Sequence, residues 1–271
     1  MITTCNLMGG LGNQLFQVFA TISYALETTR SFQFVHQVQV GNRLTAWNTL
    51  LRGLQPNLVN SNPTNLLVVR EPEFTYNKIP SIPSNHICLF GYFQSEKYFK
   101  EYYDQIYNLT KIEERRAEIL ARQPTFDMPT VSLHFRIGDY KNIQHIHPIM
   151  TIEYYKNALA YIQSKIPDPI QVVYFCEDTD LQTVLETIKV LHTHYPKYTF
   201  VRCNPLLADW QQMLYMSCCH SHIIANSTFS WWGAYLNPSK EKIVCYPATW
   251  FGPVAKTDSR DLCPPEWIKI G

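Results

Sequence analysis

Charge of one sign is what this chain most conspicuously lacks: 23 Lys and Arg stand against 22 Asp and Glu, a formal net charge of +1. Without a broad basic field it has no means of holding a nucleic-acid backbone or an anionic membrane, so an anionic partner must be gripped locally by a few residues. Long apolar runs are missing as well. No stretch approaches the ~18 consecutive apolar residues that span a bilayer, and the opening MITTCNLMGG has neither the basic start nor the apolar centre of a signal peptide. The eight cysteines form no CxxC pair, and Cys218 and Cys219 are adjacent. Reduced core thiols and a cytoplasmic location are therefore expected. Charged residues are only 17% of the chain against 46% hydrophobic and 14% aromatic, which excludes a disordered or coiled-coil protein and provides for a sizeable core.

At 271 residues the chain is long enough for two compact halves of roughly 130 residues each. We place them at residues 1–125 and 126–271, with the boundary near Gln123 to Pro129. Residues 2–7 read as a strand, followed by Gly9-Gly10-Leu11-Gly12 and an amphipathic helix carrying Leu15, Val18, Phe19, Ile22 and Leu26. Residues 31–83 show weak periodicity and are expected to form only short elements. A strand is predicted over 87–93 and a charged surface helix over 111–122, stopped at Gln123-Pro124. Beyond Pro129 the pattern is regular: strand 131–136, helix 151–165, strand 172–176, helix 181–194, the βαβα signature of a parallel sheet. A helix capped by Asp209, with Gln212 at its third position, follows. Strand 222–225, helix 228–236 and strand 243–246 complete the half.

Parallel sheets bind ligands at the carboxyl ends of their strands, and four polar clusters sit at such ends. The first, Gly9 to Gln14, places Leu15 where the third glycine of a dinucleotide fingerprint belongs, which disfavours a redox Rossmann site. Gly10 and Gly12 still let a ligand approach the backbone, and Asn13 offers it a hydrogen bond. In the second, His134 to Tyr140, alternation puts His134 and Arg136 on one face and Leu133, Phe135 and Ile137 on the other. Arg136 either pairs with Asp139 or Asp178, or holds a phosphate in its fork. In the third, Glu177-Asp178-Thr179-Asp180, the last three residues spell a DxD tripeptide that reads more simply as a helix cap at Asp180, with Asp178 left for a base or ribose. The fourth, Asn226-Ser227-Thr228-Phe229, opens a helix whose free amides suit an anion, or whose Ser227 or Thr228 merely caps it. Trp231 and Trp232 are expected to pack that helix onto the sheet.

GGLGNQLFQ, HFRIGDY and IIANSTFSWWGAYL, in this order and spanning Gly9 to about Tyr246, resemble the motifs of the α-1,2-fucosyltransferases of glycosyltransferase family 11. The resemblance implies a GT-B plan, two Rossmann-like halves with the active site in the cleft between them. It also implies inverting transfer of L-fucose from GDP-fucose to the 2-hydroxyl of a terminal β-galactoside, with no metal and no cofactor beyond the donor. Carried over by residue, Arg136 corresponds to the arginine on the donor β-phosphate, and His134 and Asp178 to contacts with guanine or ribose. Ser227 and Thr228, flanked by Asn226 and Phe229, correspond to the phosphate-binding turn, and Asn13, beside Gly10 and Gly12, to an asparagine facing the sugar. Two departures stand out: Ile137 replaces a second arginine, and His147-Pro148 stands where His-Gly is usual. Asp139 is the first candidate for the general base and His147 the second. Another acceptor or linkage on the same fold, or a nucleotide- or glycan-binding module without turnover, are the alternatives.

Overall fold

The computed structural model of the chain describes residues 1–123 and 126–271. It divides into two units: Met1–Ala117 with Asp258–Pro264, and Glu118–Thr257 with Pro265–Gly271. The expected break at Gln123-Pro124 and the expected boundary near 123–129 take in Pro124 and Thr125, which lie outside the described residues.

In the first unit, β1 (Ile2–Cys5) leads through the glycine turn into α1 (Leu11–Glu27). Short strands β2 (Ser31–Phe32), β3 (Phe34–Val35), β4 (Gln39–Val40), β5 (Arg43–Leu44) and β6 (Leu58–Val59) occupy the weakly patterned stretch. β7 (Leu67–Arg70), β8 (His86–Phe90), α2 (Tyr103–Thr110) and α3 (Ile112–Leu120) follow, and the division between the units falls inside α3. The sheet runs β2-β1-β8-β7 with all pairs parallel. Apolar residues recur on more than one face of α1, and Leu15, Phe16, Phe19 and Ile22 are all fully buried, as a helix enclosed by sheet and neighbours requires. At the amino edge, the buried Arg30 gives Nε to Thr3 Oγ1 at 3.0 Å and Nη2 to the carbonyls of Ile2 and Asn85 at 3.1 and 3.2 Å. These oxygens partly offset the cost of burying the cation.

The second unit is doubly wound. Its strands are β9 (Thr130–His134), β10 (Gln171–Phe175), β11 (Thr199–Arg202), β12 (Ser221–Ile223), β13 (Val244–Pro247) and β14 (Ile268–Ile270). They are interleaved with α4 (Ile152–Gln163), α5 (Leu181–His194), α6 (Asp209–Met216) and α7 (Thr228–Tyr235). All pairings are parallel in the order β11-β10-β9-β12-β13-β14. The winding direction reverses between β9 and β12, a topological switch point, and a ligand crevice opens at such a point.

β9 shows how sequence sets this up. Val131, Leu133, Phe135 and Ile137 join Tyr154, Leu159 and Ile162 of α4 in the core. The alternate residues are buried and polar: Ser132 Oγ lies 2.8 Å from His222 Nδ1, and His134 Nδ1 lies 2.8 Å from Ser230 Oγ. The expected alternation therefore holds, but the strand ends at His134, so Arg136 sits in the loop beyond it. The α6 cap is displaced by one residue. Ala208 is the N-cap, and its N–H donates to Gln211 Oε1 at 2.9 Å, so neither Asp209 nor Gln212 plays the expected part. Trp231 and Trp232 are fully buried; Trp231 stacks on Tyr235 at 4.6 Å. At Gly233 a Cβ would run into Met216 of α6, so the glycine lets two helices close on one another.

Candidate active site

The loops after β9, β10 and β12 meet at the switch point of the second unit. After β9 the chain turns sharply at Gly138, whose φ is +24°, a value that side chains other than glycine's rarely allow. The turn is held from below. Asp180 Oδ2 accepts the Gly138 N–H at 2.7 Å and Asp180 Oδ1 accepts Lys141 Nζ at 2.6 Å. Asp180 is 2% exposed, and a buried carboxylate of this kind is tolerated because it is fully paired. The expected role of Asp180 as a helix cap is corrected here: it precedes Leu181 but makes no side-chain cap bond, because its oxygens are engaged by the β9 turn.

Arg136 projects from this turn with both terminal nitrogens engaged. Nη1 donates to Glu177 Oε1 at 2.6 Å and Nη2 to Asp139 Oδ1, and the guanidinium lies 4.7 Å from the centre of the Tyr140 ring. Asp178 is not its partner. The Asp178 carboxylate accepts from Arg202 Nη2 instead. Tyr140 ties the two loops together: its hydroxyl donates to the Asn226 carbonyl at 3.1 Å, and its ring stacks on His147 at 4.9 Å. Burial pulls the His147 pKa down, and its Nδ1 is buried without a hydrogen-bond partner, so this ring has only Nε2 to offer.

At the start of α7, Ser227 is the N-cap and accepts the Phe229 N–H at 3.3 Å. Thr228 is the first helical residue, and the Phe229 ring lies 5.5 Å from that of His134. Asn226 is a strut: its side-chain amide donates to the Pro148 and Trp250 carbonyls, each at 3.0 Å. Burial lowers the His134 pKa to about 3, so the ring is neutral near pH 7 and serves as a hydrogen-bonding group rather than a cation. Among the described residues no three His, Cys, Asp or Glu side chains are grouped so that they could hold a metal ion. Sequence reasoning placed Glu177 and Tyr140 in the polar clusters but gave them no role, and it missed Lys141 and Arg202. The signal available for Glu177 was its place at the carboxyl end of a predicted parallel strand.

The carboxyl edge of the first unit is made mostly of amides. Gln17 clamps Met8, accepting its N–H at 2.8 Å and donating to its carbonyl at 3.1 Å. Gln14 Nε2 donates to the Gly9 carbonyl at 3.1 Å and the Leu44 carbonyl at 3.4 Å. Asn13 Oδ1 accepts from Gln94 Nε2 at 3.0 Å. Gly9 has φ +72° and no room for a Cβ against Asn13, whereas Gly10, the N-cap of α1, faces open space. Gly12 is buried in the first turn of α1. The half-buried carboxylate of Glu71 accepts the Tyr92 and Phe93 N–H groups at 2.7 and 3.0 Å.

Residues 3–271 match the profile of Glycosyl transferase family 11. The chain is 28% identical to the O-antigen biosynthesis glycosyltransferase WbnK of Escherichia coli, covering 97% of this chain and 99% of that one. It is 26% identical to an alpha-1,2-colitosyltransferase of the same organism, covering 99% of each. It is also 25% identical to a galactoside 2-alpha-L-fucosyltransferase of Caenorhabditis elegans, covering 97% of this chain and 77% of that one. Among solved structures, E. coli ADP-heptose LPS heptosyltransferase II aligns with a TM-score of 0.52 at 10% identity, over 99% of this chain and 89% of that one. The Arabidopsis thaliana FUT1 mutant R284K in complex with GDP aligns with a TM-score of 0.50 at 10% identity, over 97% and 74%. These two likenesses establish a GT-B-like fold.

Proposed function

Because the chain belongs to glycosyltransferase family 11, we propose that it is an inverting galactoside α-1,2-fucosyltransferase that uses GDP-fucose. The observation that carries this reading is Arg136, presented by a braced turn at a topological switch point, beside the start of α7. Breaking the bond from the sugar to the diphosphate leaves charge on the β-phosphate, and that charge must be met in the transition state. In our reading the Arg136 fork meets it bidentately, and the α7 start, with Ser227 and Thr228, adds amide donors and the helix dipole. Phe229 and His134 form a neutral, partly aromatic surface for the nucleoside, and Asp178 is assigned to its ribose or base. No metal is needed in this scheme, in which Arg136 and the amides at the α7 start meet the charge of the leaving group.

Asp139 is assigned as the proton acceptor for the attacking hydroxyl. Its side chain is exposed and only Oδ1 is engaged by Arg136, which leaves the second oxygen available within reach of the same site. Asn13, with Gly10 and Gly12, is assigned to the transferred sugar, and the first unit to the acceptor galactoside. The named activities of the colitosyl and fucosyl relatives support a 1,2-linkage and a 6-deoxy sugar donor. No helix among the described residues is long and apolar enough to cross a membrane, and the cytoplasm is the proposed setting. The reading is tested by following GDP released from GDP-fucose when a β-galactoside is added. Release that depends on the galactoside supports it. Release only with a different acceptor shifts it to another linkage, and tight GDP binding without any turnover replaces it with a binding module.

A further inference from the structure

Arg136 is met by more negative charge than a phosphate grip requires. Its two terminal nitrogens are those a guanidinium uses to hold a phosphate bidentately, and both are already taken by carboxylates, Glu177 and Asp139. A nucleoside diphosphate entering the fork therefore meets a carboxylate on each terminal nitrogen and competes with it for the same cation. The two are not equally free to go. Asp139 lies on the same short turn as Arg136, and that turn is pinned at Gly138 and Lys141 by the buried Asp180. Glu177 comes from a different strand end, after β10. Its side chain is 54% exposed, and Arg136 is its ion-pair partner. It also lies against the Gly138 backbone, 3.1 Å from where a Cβ would stand, so the turn has room for this carboxylate because the residue there is glycine.

We propose that Glu177 is a counter-ion that competes with the nucleoside diphosphate for Arg136: it keeps the fork aimed while the site is empty, swings out when the diphosphate enters, and returns to help expel it. The need for this follows from the chemistry. A site that stabilises a departing diphosphate with a fixed cation also holds the free diphosphate product, which bears more charge than the esterified donor. A resident carboxylate of matched geometry lowers that affinity without lowering the charge the cation presents at the moment of bond breaking. Glu177 is thus a positioning residue that acts through Arg136. The inference rests on reading Arg136 as the phosphate grip.

The test is calorimetric GDP binding to the full chain carrying Glu177→Gln, Glu177→Ala or Arg136→Lys, with the unfolding midpoint of each variant measured alongside. Removing a partly exposed competitor should tighten GDP binding by roughly 3- to 10-fold in both Glu177 variants, the range set by exposed and charge-assisted pairs. The dissociation rate in stopped-flow should fall by a similar factor. A residue that only shapes the loop would weaken GDP instead. If Arg136→Lys weakens GDP while both Glu177 variants leave it unchanged or weaker, the competition is overturned and the phosphate grip stands. If Arg136→Lys leaves GDP binding intact, the grip itself fails and the competition with it.

Discussion

The carboxyl edges of the two sheets use polar residues in opposite ways. On the first, Gln17, Gln14, Asn13 and Glu71 spend their hydrogen bonds on Met8, Gly9, Leu44, Gln94, Tyr92 and Phe93. Most of these partners are backbone groups, and Gln14 and Gln17 are themselves fully buried. Such bonds fix the path of the chain, and breaking one leaves a buried donor or acceptor unpaired. On the second edge the polar groups are charged and paired side chain to side chain: Arg136 with Glu177 and Asp139, Lys141 with Asp180, Arg202 with Asp178. One member of each pair is well exposed, and except where the other is the buried Asp180 the pair costs little to open. The first edge is thus built to keep a shape, and the second to exchange partners. Substitutions on the first should appear as lost stability, and those on the second as lost binding or turnover.

The largest separation is expected at Asp139. If it accepts the acceptor proton, Asp139→Asn lowers kcat by about 10²- to 10⁴-fold, the range of general base catalysis. GDP affinity by calorimetry should stay within a few-fold, and the acidic limb of the pH–rate profile should vanish from the residual activity. An affinity loss matching the rate loss would assign Asp139 to orienting Arg136. Next comes Arg136→Lys, which keeps the charge and loses the fork; turnover should drop by at least ~10²-fold with the unfolding midpoint unchanged. Wild-type turnover in that variant would remove Arg136 from the leaving-group role.

Gln17→Leu should do the converse. It leaves the Met8 N–H and carbonyl unpaired and should cost about 1–3 kcal/mol in denaturant unfolding, while calorimetric GDP affinity is retained. A stable variant with weakened GDP binding would break the division between the edges. A smaller, graded effect belongs to His134. Its folded pKa of about 3 lies below its unfolded value, so as pH falls below 6.5 the unfolded chain takes up a proton that the folded one refuses. Stability should therefore decline from pH 7 to pH 5, by on the order of 2 kcal/mol from this residue. The pH dependence of unfolding should be shallower in His134→Phe, and an equal slope in the variant would reject the assignment. The smallest expected effect is none: EDTA should leave turnover unchanged. Loss in EDTA with rescue by Mg²⁺ or Mn²⁺ would replace the cation-and-amide scheme with a metal.

The two regions also differed in how far their sequence could be read. In the second, buried parallel strands appear as short β-branched runs between amphipathic helices. The helix predicted at 181–194 has the bounds of α5, and the strand at 172–176 lies one residue from those of β10. β11 was passed over because Thr199–Arg202 alternates in exposure at a sheet edge, which weakens its apolar signal. In the first region, β2 to β6 are two residues each, too short for any periodicity to register. At the candidate site, Arg136, Ser227 and Thr228 stood out in the sequence because a cation after a strand, or hydroxyls at a helix start, have few uses. Asp180 was misread because local spelling favours a cap, whereas its partners lie some forty residues away in sequence. Glu177 stood in a polar cluster but without a role for the same reason: its meaning comes from Arg136, at the end of a neighbouring strand that only the fold brings alongside.

The most direct test of the account is the structure of the product. The full chain, GDP-fucose and a terminal β-galactoside are incubated in EDTA, and the purified product is read by NMR for linkage position and anomeric configuration. The account predicts a single fucose on the galactose 2-hydroxyl in the α configuration, inverted from the β-linked donor. A fucose on another hydroxyl, a β product, or hydrolysis to free fucose with no glycoside formed would contradict it.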